Sequence, residues 1–156
     1  MKLGALLIER SNVEKAISEL TQRINASGRI QEGDEPAEDT TELKKQLDES
    51  YVRLTKIISI INKVNYETKF NDKYPHLIDA IVARDILSKK AGTLKNISSH
   101  CQPGQQQRYG RAEIKFVTTI SVPDYIKETE ALNKQKTELN NQIQEVNWKV
   151  DVPDIV

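Results

Sequence analysis

Apolar residues recur at alternating intervals of three and four along four segments of the chain, and in two of them the line holds over about three heptads with one interruption each. The first line is Leu3, Leu6, Arg10, Val13, Ile17, Leu20, Ile24, and the second is Leu43, Leu47, Ser50, Leu54, Ile57, Ile61, Val64. Only Arg10 and Ser50 break them. Such spacing returns side chains to one stripe of an α-helix but scatters them over both faces of a strand, so these segments fold as long helices packed along their seams. Two further lines are weaker. Leu77, Ala80, Arg84, Leu87, Ala91, Leu94 has small alanines that allow close helix approach and an arginine that must snorkel or find a carboxylate. Tyr125, Thr129, Leu132, Lys136, Leu139, Ile143, Val146, Val150 admits a threonine and a lysine.

Local signals divide the chain at matching places. A first helix is expected from Lys2 to Asn25, ended near Gly28 in the left-handed conformation that closes many helices. A polar, acidic connection follows, in which Gly33 and Pro36 both oppose helix. Asp39 with Glu42 three residues on forms a capping-box-like start for a second helix running to Asn65, with Tyr51 and Ile58 widening its apolar stripe. Asn65 to His76 reads as a polar connection and Leu77 to Ser98 as a third helix. From Ala112 to Val122 the period changes to two, with Ile114, Phe116, Thr118, Ile120 and Val122 on one face, which predicts a β-strand. A lone strand leaves its backbone groups unpaired, so it needs either Arg29 to Glu32 or the same strand of another subunit. Ser121, Pro123 and Asp124 then start a fourth helix.

The fold expected is therefore mainly α: one domain over residues 1–156, an elongated bundle of about four long antiparallel, coiled-coil-like helices with a short β element. The balance of 29% charged and only 5% aromatic residues suits long solvated helices rather than a sandwich or a deep pocket. Lys plus Arg equal Asp plus Glu at 23 each, so no overall field gathers phosphates, and nucleic acid is not an expected partner. The single cysteine, Cys101, has no internal partner, which points to a reducing, cytoplasmic compartment. Leu3 to Ile8 is too short and too soon charged for a signal segment, and Ile57 to Ile61 is far too short to span a membrane.

Chemistry-bearing patterns are few. His76, His100 and Cys101 do not supply the paired ligand spacing of a structural zinc site, and His100 beside Cys101 in sequence does not make a nucleophile and its base. Glu32, Asp34, Glu35, Glu38 and Asp39 lack the ligand order of a calcium loop and fit a solvated connection. No metal or cofactor is expected. The best basic and aromatic cluster is Arg108, Tyr109, Arg111 and Lys115, which Arg84 and Asp85 could join as an interaction or ligand site if folding brings them together. Asn62, Asn65, Asn147 and Trp148 are candidates for setting register or partner choice, as buried asparagines do in helical seams.

The chain resembles a family of small, largely uncharacterised bacterial proteins often labelled septicolysin. The resemblance rests on Gln31-Glu32-Gly33-Asp34-Glu35-Pro36 with Glu38-Asp39, on Asn62 and Asn65, on Arg84-Asp85, on Arg108-Tyr109 with Arg111, Glu113, Ile114 and Lys115, and on Glu145 with Asn147-Trp148. It spans nearly the full length and implies a helical fold without implying a mechanism. The label itself implies a membrane-active cytolysin. Thiol-activated cytolysins, however, are long secreted β-rich chains whose cysteine lies in a Trp-rich loop, whereas Trp148 here is the only tryptophan and is far from Cys101 in sequence. The function expected is a non-enzymatic homo-oligomeric scaffold or interaction protein, with Ile114, Phe116 and Ile120 joining subunits through the strand. A chaperone-like adaptor holding an unidentified protein partner in helix-end grooves is the alternative.

Overall fold

The computed structural model describes residues 1–102 and 116–153 and contains four helices: α1 (Leu3–Ser27), α2 (Thr40–Glu67), α3 (Leu77–His100) and α4 (Val122–Lys149). They gather into two compact units, Met1–Leu77 with Gln144–Val156 and Ile78–Ile143.

In the first unit α1 and α2 pack along the two strongest seams. Leu3, Leu6, Val13, Ile17 and Leu20 are buried on α1, and Leu43, Ile57, Ile61 and Val64 on α2. Each such side chain removed from water contributes on the order of 1.5–3 kcal/mol. Two ion pairs fix the register. Arg53 meets Glu9 at 2.7 Å, and the Arg23 guanidinium grips both oxygens of Glu38 in the connection just before α2. Rising numbers on α1 thus face falling numbers on α2, an antiparallel hairpin. The two interruptions of the seams, Arg10 and Ser50, each find a partner on their own helix. Arg10 turns outward to Glu14 at 2.9 Å, and Ser50 donates to the Gln46 carbonyl at 2.8 Å.

The helix ends follow local chemistry in part. Asp39 Oδ1 accepts from the Thr41 and Glu42 amides at 2.8 and 3.4 Å, a side-chain cap that satisfies two orphan donors of α2. Glu42 accepts from Gln46 on the next turn. Gly28 closes α1 through its amide to the Ile24 carbonyl, but at φ −80 it is right-handed, so the left-handed ending expected there is corrected. Gly33 instead takes the positive φ, +94, as third residue of a turn in which the Asp34 amide donates to the Gln31 carbonyl.

No strand forms among the described residues. Residues 116–119 carry no regular structure, Val122 is already the first residue of α4, and Arg29 to Glu32 lies in a bend and turn without a ladder. Positions 112–115 of the expected strand are outside the described residues. In this irregular approach to α4 the Thr118 hydroxyl donates to the Cys101 carbonyl at 2.9 Å. The backbone bridges that do occur were not expected. Lys69 pairs with His76 in the turn between α2 and α3, and Lys2 pairs with Asp151.

The second unit is also an antiparallel pair, α3 from Ile78 and α4 to Ile143. Lys90 binds Glu128 at 2.7 Å, and Arg84 Nη1 donates to Asn140 Oδ1 at 3.3 Å, so the numbering again runs in opposite directions. Ala80, Ala91, Val122, Leu132, Leu139 and Ile143 are buried there, together with Ser98 and Thr129, whose hydroxyls donate to carbonyls of their own helices.

Candidate functional site

The start of α1 lacks the side chain that usually caps a helix, since Lys2 occupies the capping position without a cap bond. The chain just after α4 serves it instead. The Leu3 amide donates to the Val150 carbonyl at 3.0 Å, and the Val152 amide to the Met1 carbonyl at 2.8 Å. Lys2 Nζ reaches both the Lys149 carbonyl at 3.0 Å and Asp151 Oδ2 at 2.9 Å. Over this junction lies Trp148. A Cβ built on Gly4 would stand 2.9 Å from its indole carbons, so only a glycine lets the ring lie so close to α1. Trp148 is still 53% exposed, and Asn147 beside it is 4% exposed.

The other register candidates divide by burial. Asn65 is buried at 9%, and Asn62 is exposed. Buried Asn65 and Asn147 both belong to the first unit.

Within the turn after α2, the Phe70 amide donates to Pro75, the Asn71 amide to Tyr74, and the Asn71 side chain accepts from the Tyr74 amide at 2.8 Å. This small ladder sets the His76 ring parallel to Tyr66, with centroids 5.6 Å apart and planes 2° apart, and Tyr66 is 69% exposed. The sequence reading as a plain polar connection missed it. The available signal was Asn71-Asp72 flanked by aromatic and β-branched residues.

Of the basic cluster, Arg84 and Asp85 are described. Arg84 sits on the inner line of α3 with its side chain 27% exposed, and its Nε and Nη2 both donate to Asp85 Oδ1, at 3.0 and 2.8 Å. It has found the carboxylate such a position demands, one residue away, and Asn140 across the hairpin. Arg108, Tyr109, Arg111, Ile114 and Lys115 lie outside the described residues, whereas Phe116 is exposed and Ile120 half-buried.

Two shallow grooves lie along α2, the second of them beginning over its first turns. One, of about 540 Å³, is lined by Leu20, Gln46, Ser50, Val52, Arg53 and Lys56; the other, of about 480 Å³, by Thr41, Lys44, Lys45, Asp48, Glu49 and Val52. The first exposes polar and apolar surface about equally, whereas the second, among Thr41, Lys44, Lys45 and Val52, is mainly apolar and suits an apolar side chain. On α3, Val82 and Ile86 stand one turn apart at 53% and 56% exposure, on the side away from the buried line, with exposed Asp79 and Lys89 at either end. Sequence reasoning followed the inner line and passed over this one, although its spacing of three, four and three was visible.

Among the described residues no group of three or more His, Cys, Asp and Glu side chains is placed to hold a metal ion, and no helix is long and apolar enough to cross a membrane.

Fold and surfaces together define a protein of paired antiparallel helices with shallow grooves and exposed apolar helix positions. The chain belongs to DUF6847, a family of unknown function, whose model matches residues 10–152. It is also similar to a solved structure, the crystal structure of a functionally unknown conserved protein from Corynebacterium diphtheriae. That likeness has 31% sequence identity over 98% of this chain and 99% of that one, with a TM-score of 0.87. No curated protein matches. The match fits the expectation of a small uncharacterised family, and neither match carries the septicolysin label.

Proposed function

We propose that the protein is a non-catalytic helical interaction protein that works as an assembly of its own copies. The observation that supports this reading most is the set of apolar side chains turned outward at helical spacing, Val82 and Ile86 on α3 above all. Helix faces that hold both a buried seam and an exposed apolar line are built to meet two neighbours, and one chain supplies only the first. The interacting surface is then the helix wall. A reducing, cytoplasmic setting suits the free thiol of Cys101.

Sedimentation velocity of the full chain over a wide concentration range tests the proposal. A defined oligomer that dissociates on dilution is the expected result. A monomer at every concentration overturns it.

A second reading, an adaptor for an extended polypeptide segment, draws on the grooves along α2. It expects suppression of the aggregation of an unfolded client, and no suppression at excess chain removes it.

A further inference from the structure

We propose that two copies of the chain pair antiparallel along the outer line of α3, about a two-fold axis level with residue 84. The proposal rests on the self-assembly reading above and names its surface. The line consists of Asp79, Val82, Ile86 and Lys89, all exposed. Their spacing of three, four and three reads the same in both directions. A two-fold interface is isologous, so each residue on one copy meets its counterpart's position on the other and is met in return. Antiparallel pairing about the middle of this line sets Val82 against Ile86 and Asp79 against Lys89, each contact occurring twice.

The alternatives are worse on charge. Parallel pairing sets Asp79 against its own copy and Lys89 against its own copy, two repulsive contacts in place of two attractive pairs. A slip of one turn in either direction moves Asp79 against Asp85 or Lys90 against Val82. One register therefore satisfies both the apolar pair and the charges.

Two neighbouring charges are engaged within their own chain. Asp85 is held by Arg84, and Lys90 is held by Glu128 of its own hairpin at 2.7 Å. Asp79 lies in the first turn of α3, where a negative charge also suits the helix dipole. Asp79 and Lys89 are separated by about 15 Å along the helix at ~1.5 Å per residue, which gives an apolar centre bounded by charged ends, the usual anatomy of an interface. With a centre this small, the dimer dissociates on the order of micromolar.

The test compares dimer dissociation constants by sedimentation for the full chain, Lys89→Glu, Asp79→Lys, the double variant carrying both, and Val82→Ser with Ile86→Ser, each checked for unchanged helix content. Either single reversal raises the dissociation constant about tenfold, because each appears twice in the interface. The double variant returns to within about threefold of the starting value, since it exchanges the two charges without unpairing them. The serine pair abolishes the dimer. Reversals that weaken assembly without rescue in the double variant overturn this register. An oligomer indifferent to all four variants overturns this face while leaving self-assembly standing, and a starting protein that is monomeric overturns both.

Discussion

Gly4 and Trp148 show how much one missing side chain decides. The ring lies where a Cβ would stand 2.9 Å from it, and the ring is an exposed side chain free to swing, so an added methyl displaces it rather than breaking the helix. Alanine also favours the helix by roughly 0.5–1 kcal/mol over glycine. The expected outcome for Gly4→Ala is a red shift of the emission of Trp148, the only tryptophan, with net stability changed by less than about 1 kcal/mol. Unchanged emission would place the indole elsewhere. Nothing in the sequence pairs residue 4 with residue 148, because the seams describe only what is apolar and periodic. The interruptions Arg10 and Ser50 were legible as exceptions, but the partners they take were not.

At the scale of elements, the two helix starts of the first unit contrast. Asp39 caps α2 from its own side chain, and this start was readable from Asp39 and Glu42. Asp39→Ala is expected to cost about 1 kcal/mol in denaturant unfolding, while Asp39→Asn costs only a fraction of that. Equal losses would mean that charge, and not the acceptor oxygen, carries the cap. The start of α1 has no such side chain and takes its partner from the Val150 carbonyl, so truncation after Lys149 is expected to fray α1 at its first turn, seen as faster amide exchange there. The expected strand at Ala112 to Val122 failed over its described part for a related reason. Alternation of β-branched residues fits a pleated surface, yet a strand exists only where a second backbone lies beside it, and Arg29 to Glu32 is occupied with its own turn.

For the whole molecule, the long-range ion pairs make stability depend on pH. Hydrogen bonding to Arg23 holds the Glu38 carboxyl below its ordinary value of 4.5, and hydrogen bonding to Lys2 holds Asp151 below 3.8. Between each lowered folded value and its ordinary one the unfolded chain binds more protons. The stabilisation is therefore present in full above the ordinary value and is lost as pH falls through the folded one. Acid unfolding followed by circular dichroism is expected to begin below about pH 4.5, and Glu38→Gln is expected to flatten the loss in its upper part. A variant whose acid transition matches the parent at every pH would remove Glu38 from the account. Both pairs are solvent-exposed, so added salt weakens this dependence.

The sequence by itself determined the helices, their inner seams and the cap at Asp39, because each follows from residues within one or two turns of one another. It also carried the resemblance to a small helical family that the comparisons bear out at that level. Tertiary structure alone decided which residues meet across the chain: Glu9 with Arg53, Arg23 with Glu38, Arg84 with Asn140, Lys2 with Asp151, and Trp148 with Gly4. The physical reason is that helical periodicity names a face without naming its neighbour. Pairing and register come from contacts between residues far apart in sequence, and those form only once the helices have docked.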